Sequence, residues 1–198
     1  MIKKEILKEL YLEKGNSMQD IANSLNCSVH KVSYWLLKHN IHSRSISEAI
    51  YLKNNPDGDP FKFIELKEFN DAILFGLGMG LYWGEGTKAN KDSVRLGNTD
   101  PALIRRFMDF LIKLFGVKRR DFKFGLQIFT DIEIDEALDF WAKTLKIRYS
   151  QFYKPIITIS GSIGTYRKKS RYGVLTVMYH NKKLRDLLIK KLADVAQR

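Results

Sequence analysis

Leu74-Phe-Gly-Leu-Gly-Met-Gly-Leu-Tyr-Trp-Gly-Glu-Gly86 sets five glycines within eleven residues of an apolar, helix-like run, with one carboxylate, Glu85, near its end. A glycine inside a helix costs up to about 1 kcal/mol relative to alanine, so a soluble helix carrying this many is using the missing side chains. Gly76, Gly80 and Gly84 recur at every fourth residue and therefore share one face. A bald face of that kind lets a second helix backbone come close, and Glu85 stands at the far end of the contact. Asn70 or Asp71 is placed to cap the helix, and Gly86 to end it in a left-handed turn.

The spacing excludes the nucleotide-phosphate loops, because neither GxGxxG nor GxxxxGK(S/T) can be threaded through these glycines. His30, His39, His42 and His180 do not cluster along the chain, which gives no support to a two-histidine metal helix or an HNH-type nuclease.

Gly78-Met-Gly-Leu-Tyr-Trp-Gly-Glu-Gly86 resembles the LAGLIDADG motif of homing endonucleases. Gly80 and Leu81 match its inner Gly-Leu, Gly84 its small residue, and Glu85-Gly86 its closing acid-glycine pair. Glu stands where the family usually has Asp, and Trp83 replaces an earlier acid. The resemblance implies an α+β domain of order α-β-β-α-β-β-α, whose antiparallel sheet saddles the major groove. It also implies two motif helices packed face to face, their terminal acids binding the divalent metals that cut the two strands. On this chain Glu85 is then the catalytic acid and metal ligand, Gly84 a further carbonyl ligand, and Mg²⁺ the cofactor. A carboxylate in the last helical turn meets the negative end of the macrodipole at a cost of about a few tenths of a kcal/mol. A bound cation reverses that term and supplies a Lewis acid. The bland alternative is a solvated carboxylate paired with Lys88. One motif per chain implies a homodimer through Gly76, Gly80 and Gly84, with two Glu85 side chains beside a two-fold axis.

Downstream, Val94–Asn98 reads as a strand and Pro101–Phe115 as an amphipathic helix capped by Asp100. Asp121–Thr130 alternates, with Phe122, Phe124, Leu126 and Ile128 on one face and Lys123 and Gln127 on the other. A helix over Ile134–Leu145, a strand pair Ile156–Ser160 and Val174–Tyr179, and a last helix Lys182–Val195 complete the reading. Against the implied fold, the first strand between Thr87 and Asp92 is very short or missing, and one helix near Trp141 is extra. Arg95, Lys123, Gln127 and Lys154 lie on or near strands, where side chains on the open face reach DNA. The loop 161–173 carries Arg167, Lys168, Lys169 and Arg171 with two tyrosines, a composition that suits phosphate contact; a solvated loop is the alternative.

The first fifty-two residues predict a three-helix DNA-binding domain. Ile2–Glu13 has a helical apolar period; Ser17, with Asp20 three residues on, caps a second helix; Asn26-Cys27 makes a turn; Ser28 caps a third helix running to His39. Ser17 to Leu36 resembles the bacterial and phage helix-turn-helix family through its Ile-Ala-x-x-Leu step and its Val-x-x-Trp-Leu ending. That resemblance implies that Ser28, His30, Lys31, Ser33 and Tyr34 face base edges and phosphates, with Arg44 just beyond reaching a phosphate. A helical bundle for protein contacts is the alternative. Residues 53–70, with Asn54-Asn-Pro-Asp-Gly-Asp-Pro60, read as a linker ending in a short helix over Lys62–Phe69, and 71–198 as the larger domain.

Charge agrees with a polyanionic partner. The chain of 198 residues carries a formal +12, and residues 71–198 hold 24 Lys/Arg against 13 Asp/Glu. Such an excess favours nucleic acid. A single Cys27 excludes a disulfide framework or a cysteine zinc cluster within one chain. No long apolar run or signal-like start is present, so the expected location is cytoplasmic, with the nucleoid. Three activities stay open: a Mg²⁺-dependent double-strand endonuclease, a transcription regulator that keeps the fold without cutting, and an RNA-splicing helper.

Overall fold

The structure is a computed structural model and describes residues 1–159 and 170–196. It is α+β and divides into two compact units between Pro60 and Phe61, inside the stretch 53–70 expected to be linker.

In the first unit, α1 (Lys4–Leu7) continues as a π-helical segment, Lys8–Glu13, followed by α2 (Met18–Ser24), α3 (Val29–Lys38) and α4 (Ile46–Asn54). Ser17 and Asp20 close a full capping box on α2, and the Ser28 hydroxyl accepts the Lys31 amide at the start of α3. Asn26 and Asn40 take φ of 47° and 54°, the left-handed turns that end these two helices. Leu7, Tyr11, Ile21, Ala22, Val32 and Leu36 form the core. Helix α4 corrects the three-helix expectation. Its signal is present in the sequence as Ser45 and Glu48, which form a second capping box.

The second unit opens with an extended segment rather than the expected Lys62–Phe69 helix. Its amides supply what a helix terminus lacks: Lys62 N–H donates to the Phe115 carbonyl and Ile64 N–H to that of Leu114, both at 2.9 Å. Phe63 inserts between Phe75 and Phe115. The glycine helix is α5 (Phe69–Glu85), and its N-cap is Glu68 without a side-chain bond, not Asn70 or Asp71. Then come β1 (Val94–Asn98), α6 (Pro101–Phe115), β2 (Lys123–Phe129), α7 (Ile134–Leu145), β3 (Ile156–Thr158), β4 (Val174–Tyr179) and α8 (Lys182–Ala196).

The sheet order is β1-β4-β2-β3. Strand β4 runs antiparallel to both β1 and β2, but β3 pairs with β2 in parallel. The sheet is therefore mixed, not antiparallel, and β3 and β4 do not form the expected pair. The cause is α7, which returns the chain between β2 and β3 as a crossover. Val94, Leu96, Phe124, Leu126, Ile128, Leu175 and Val177 point into one core with Phe107, Phe110, Phe115 and Trp141. The alternate residues line the other sheet face, which no described element of this unit covers.

Candidate nucleic-acid interface

The glycines of α5 divide by what surrounds them. A Cβ on Gly78 would collide with the Phe110 ring, so that glycine lets α5 lie against α6. At Gly76, Gly80 and Gly84 an added Cβ would meet no atom within 4 Å. Exposed Ile73, Leu77 and Trp83 stand beside them. The stripe thus faces outward, and no described residue of the second unit covers it.

Glu85 is the last residue of α5 and is exposed, as is Gly84. Gly86 is extended, with φ −73° and ψ 138°, so the expected left-handed cap is absent. Glycine is required there for a different reason: a side chain would run into the ring and carbonyl of Tyr82. The Lys88 ammonium donates to the Trp83 carbonyl. Among the described residues no group of three or more His, Cys, Asp or Glu is placed to hold a metal ion. Glu85 is therefore a single carboxylate at a helix end.

The loop after Glu85 is held by α8. Arg185 donates from Nη2 to the Lys88 carbonyl at 2.7 Å and from Nε to the Asn90 carbonyl at 3.2 Å. Asn90 Oδ1 accepts the amides of Asp92 and Ser93 and the Ser93 hydroxyl. Ser93 Oγ in turn accepts Arg95 Nε at 2.7 Å. A chain of hydrogen bonds thus links α8, through the loop, to the first cation of the sheet.

That cation lies on the open face. The cross-strand row Arg95, Met178, Lys123 is followed by Gly97, Thr176, Gly125, and Gln127 pairs with Val174 and Ile156. Arg95, Lys123 and Gln127 therefore share the solvent face that their alternation predicts. Gln127 donates to Thr158 Oγ1 at 3.1 Å. Lys154 is exposed in the loop before β3.

His180 and Tyr153 also belong to this face and were not singled out by the sequence. His180 Nε2 lies 2.9 Å from the Tyr153 hydroxyl. Partial burial, then the positive charges of Arg95 and Lys123, holds its pKa below the usual histidine value. The signal was available: continuing the β4 alternation one step past Tyr179 puts His180 with Met178 and Thr176.

On α3, His30, Lys31, Ser33 and Tyr34 are all exposed, while Val32 and Leu36 are buried. Lys38 Nζ sits 5.7 Å from the Tyr34 ring centre. Ser28 is exposed while it caps the helix.

Two expected phosphate contacts are engaged elsewhere. Arg44 lies 4.0 Å over the Tyr11 ring and donates to the carbonyls of Tyr11, Gly15 and Asn16. Its guanidinium satisfies carbonyls at the end of the first helix. Arg171 pairs with Glu136 of α7 at 3.2 Å and lies over Tyr172. Arg167, Lys168 and Lys169 lie outside the described residues. No described helix is long and apolar enough to cross a membrane.

Compared with known proteins, the chain matches no family model, no curated protein and no solved structure.

Proposed function

We propose that this chain is a sequence-specific double-stranded DNA-binding protein of the LAGLIDADG type that works as a homodimer. The carrying observation is the open sheet face, where Arg95, Lys123 and Gln127 line up across paired strands without a covering element among the described residues of this unit. Cations at the rim and glycines in the middle leave a shallow surface suited to phosphates and base edges. The exposed α3 residues add a second contact of helix-turn-helix type.

The chain order supports the family plan. The Gly86–Leu96 bridge, with Thr87 N–H bonded to the Arg95 carbonyl, stands for a first strand reduced to one pair. With α7 and β3 taken as an insertion, the remaining order is α5, bridge, β1, α6, β2, β4, α8. That is α-β-β-α-β-β-α. The outward Gly76, Gly80 and Gly84 stripe then serves as the dimer contact.

In this reading Glu85 and the Gly84 carbonyl bind Mg²⁺, and the dimer hydrolyses phosphodiester bonds in both strands. The metal supplies the Lewis acid. Because one chain offers only Glu85, the site is completed by a second copy, and cleavage depends on dimerisation. The same lone carboxylate favours a second reading, a transcription regulator that binds DNA without cutting it.

Incubating the full chain with a randomised duplex library and Mg²⁺, then sequencing both bound and cut DNA, tests these readings. Cleavage by the wild type, lost in Glu85→Gln while binding persists, is the expected result. Binding without cleavage by either protein establishes the regulator, and absence of binding overturns both readings.

A further inference from the structure

Four side chains from four segments meet at one end of the open sheet face: Arg95 on β1, Lys123 on β2, His180 after β4, and Tyr153 before β3. All four are already engaged. Arg95 Nε is fixed by Ser93, Lys123 Nζ lies 3.3 Å from the Ser150 carbonyl, and the Tyr153 hydroxyl meets His180 Nε2. The Tyr153 and His180 rings stand edge to face, 6.1 Å apart.

The charges that act on His180 are both positive, Arg95 from β1 and Lys123 from β2; the group facing it from the loop before β3 is the neutral phenol of Tyr153. Protonation there would place a third cation beside two others. With no anion present these charges favour the neutral imidazole, in which Nε2 can accept the Tyr153 O–H. A phosphodiester oxygen between Arg95 and Lys123 would neutralise that repulsion and accept a bond from an imidazolium.

We infer that Arg95, Lys123 and His180 form a proton-linked seat for a DNA phosphate, in which phosphate binding draws one proton from solvent onto His180. This rests on the reading of the sheet as a DNA surface. Linkage fixes the sign: His180 has the higher pKa in the complex, so affinity rises as pH falls between the free and bound values. One proton taken up limits the slope to about tenfold in affinity per pH unit.

The test measures binding of the full chain to a random-sequence duplex by fluorescence anisotropy from pH 5.5 to 8, for wild type and His180→Gln. Wild type should gain up to about tenfold per unit toward acid beyond any gain kept by the variant. In parallel, the His180 imidazole is titrated by NMR without and with saturating duplex; its pKa should move upward. Equal pH dependence in the two proteins, or an unmoved His180 pKa, overturns the phosphate seat while leaving DNA binding intact. Failure to bind duplex at every pH overturns the DNA reading, and the seat falls with it.

Discussion

The side chain that Gly78 lacks would stand 2.7 Å from Cβ of Phe110, and nearer still to its ring. Packing between α5 and α6 therefore explains one member of the glycine run, and Tyr82 explains Gly86. The other three, Gly76, Gly80 and Gly84, find no such explanation among the described residues, none of which lies within 4 Å of an added Cβ. No contact among the described residues offsets their helix-propensity cost, which is the physical argument for the proposed partner on that face.

Gly78→Ala should destabilise the second unit by about 1–3 kcal/mol, because the Phe110 ring must shift within a packed core. Gly80→Ala should do the opposite in the monomer, adding up to about 1 kcal/mol of helix propensity. Urea unfolding at low protein concentration reads both effects, and sedimentation reads self-association. Weakened self-association in Gly80→Ala with an intact monomer supports the dimer face, whereas unchanged association removes it.

Arg44→Met should destabilise the first unit by about 2–4 kcal/mol. It deletes charge-assisted bonds to three carbonyls and leaves the end of the first helix unsatisfied. Calorimetry of the full chain should show the loss in one of its transitions. Where the variant is still folded, the salt dependence of DNA binding should match wild type if this guanidinium, engaged by three carbonyls of its own chain, is not a phosphate contact. A shallower salt slope would show that it is.

Tyr82 is fully buried, stacks on Phe107, and its hydroxyl has no hydrogen-bond partner among the described residues. Tyr82→Phe should therefore raise stability, by about 1 kcal/mol, by removing a desolvated hydroxyl. Burial raises the Tyr82 pKa, with Arg185 pulling it down and Asp186 pushing it up. Since the folded value lies above the unfolded one, this contribution is complete below about pH 10 and is lost as pH rises through the folded value. Stability curves to pH 11 should fall less steeply for Tyr82→Phe than for wild type.

Much of the second unit was legible because its periods are clean. Val94–Asn98, Pro101–Phe115, Ile134–Leu145 and Val174–Tyr179 are found with the bounds that apolar spacing predicts. Pairing was not legible: periodicity says which residues share a face, but β3 joins β2 because of the α7 crossover, a long-range choice. The engagement of Arg44 was hidden for the same reason, as its partners Tyr11, Gly15 and Asn16 lie about thirty residues earlier. Exposure on α3 and on the open sheet face followed directly from period 3.6 and period 2. The geometry of Glu85 followed only as far as its place at the helix end.

Arg185 orders the path from Glu85 to Arg95. Its side chain is 15% exposed, and its three nitrogens reach the Lys88 and Asn90 carbonyls and Asp186 Oδ1. Arg185→Met should keep α8 packed, because Leu184 and Leu188 supply its buried face, yet release residues 88–93. The Ser93 amide, 2.9 Å from Asn90 Oδ1, should then exchange with solvent about tenfold faster or more, while the paired amides of β1 stay protected. DNA affinity should fall with it, since Arg95 is oriented through Ser93. Amide exchange by NMR separates this from general unfolding: loss of protection confined to 88–93 supports the clamp, and unchanged exchange at Ser93 rules it out.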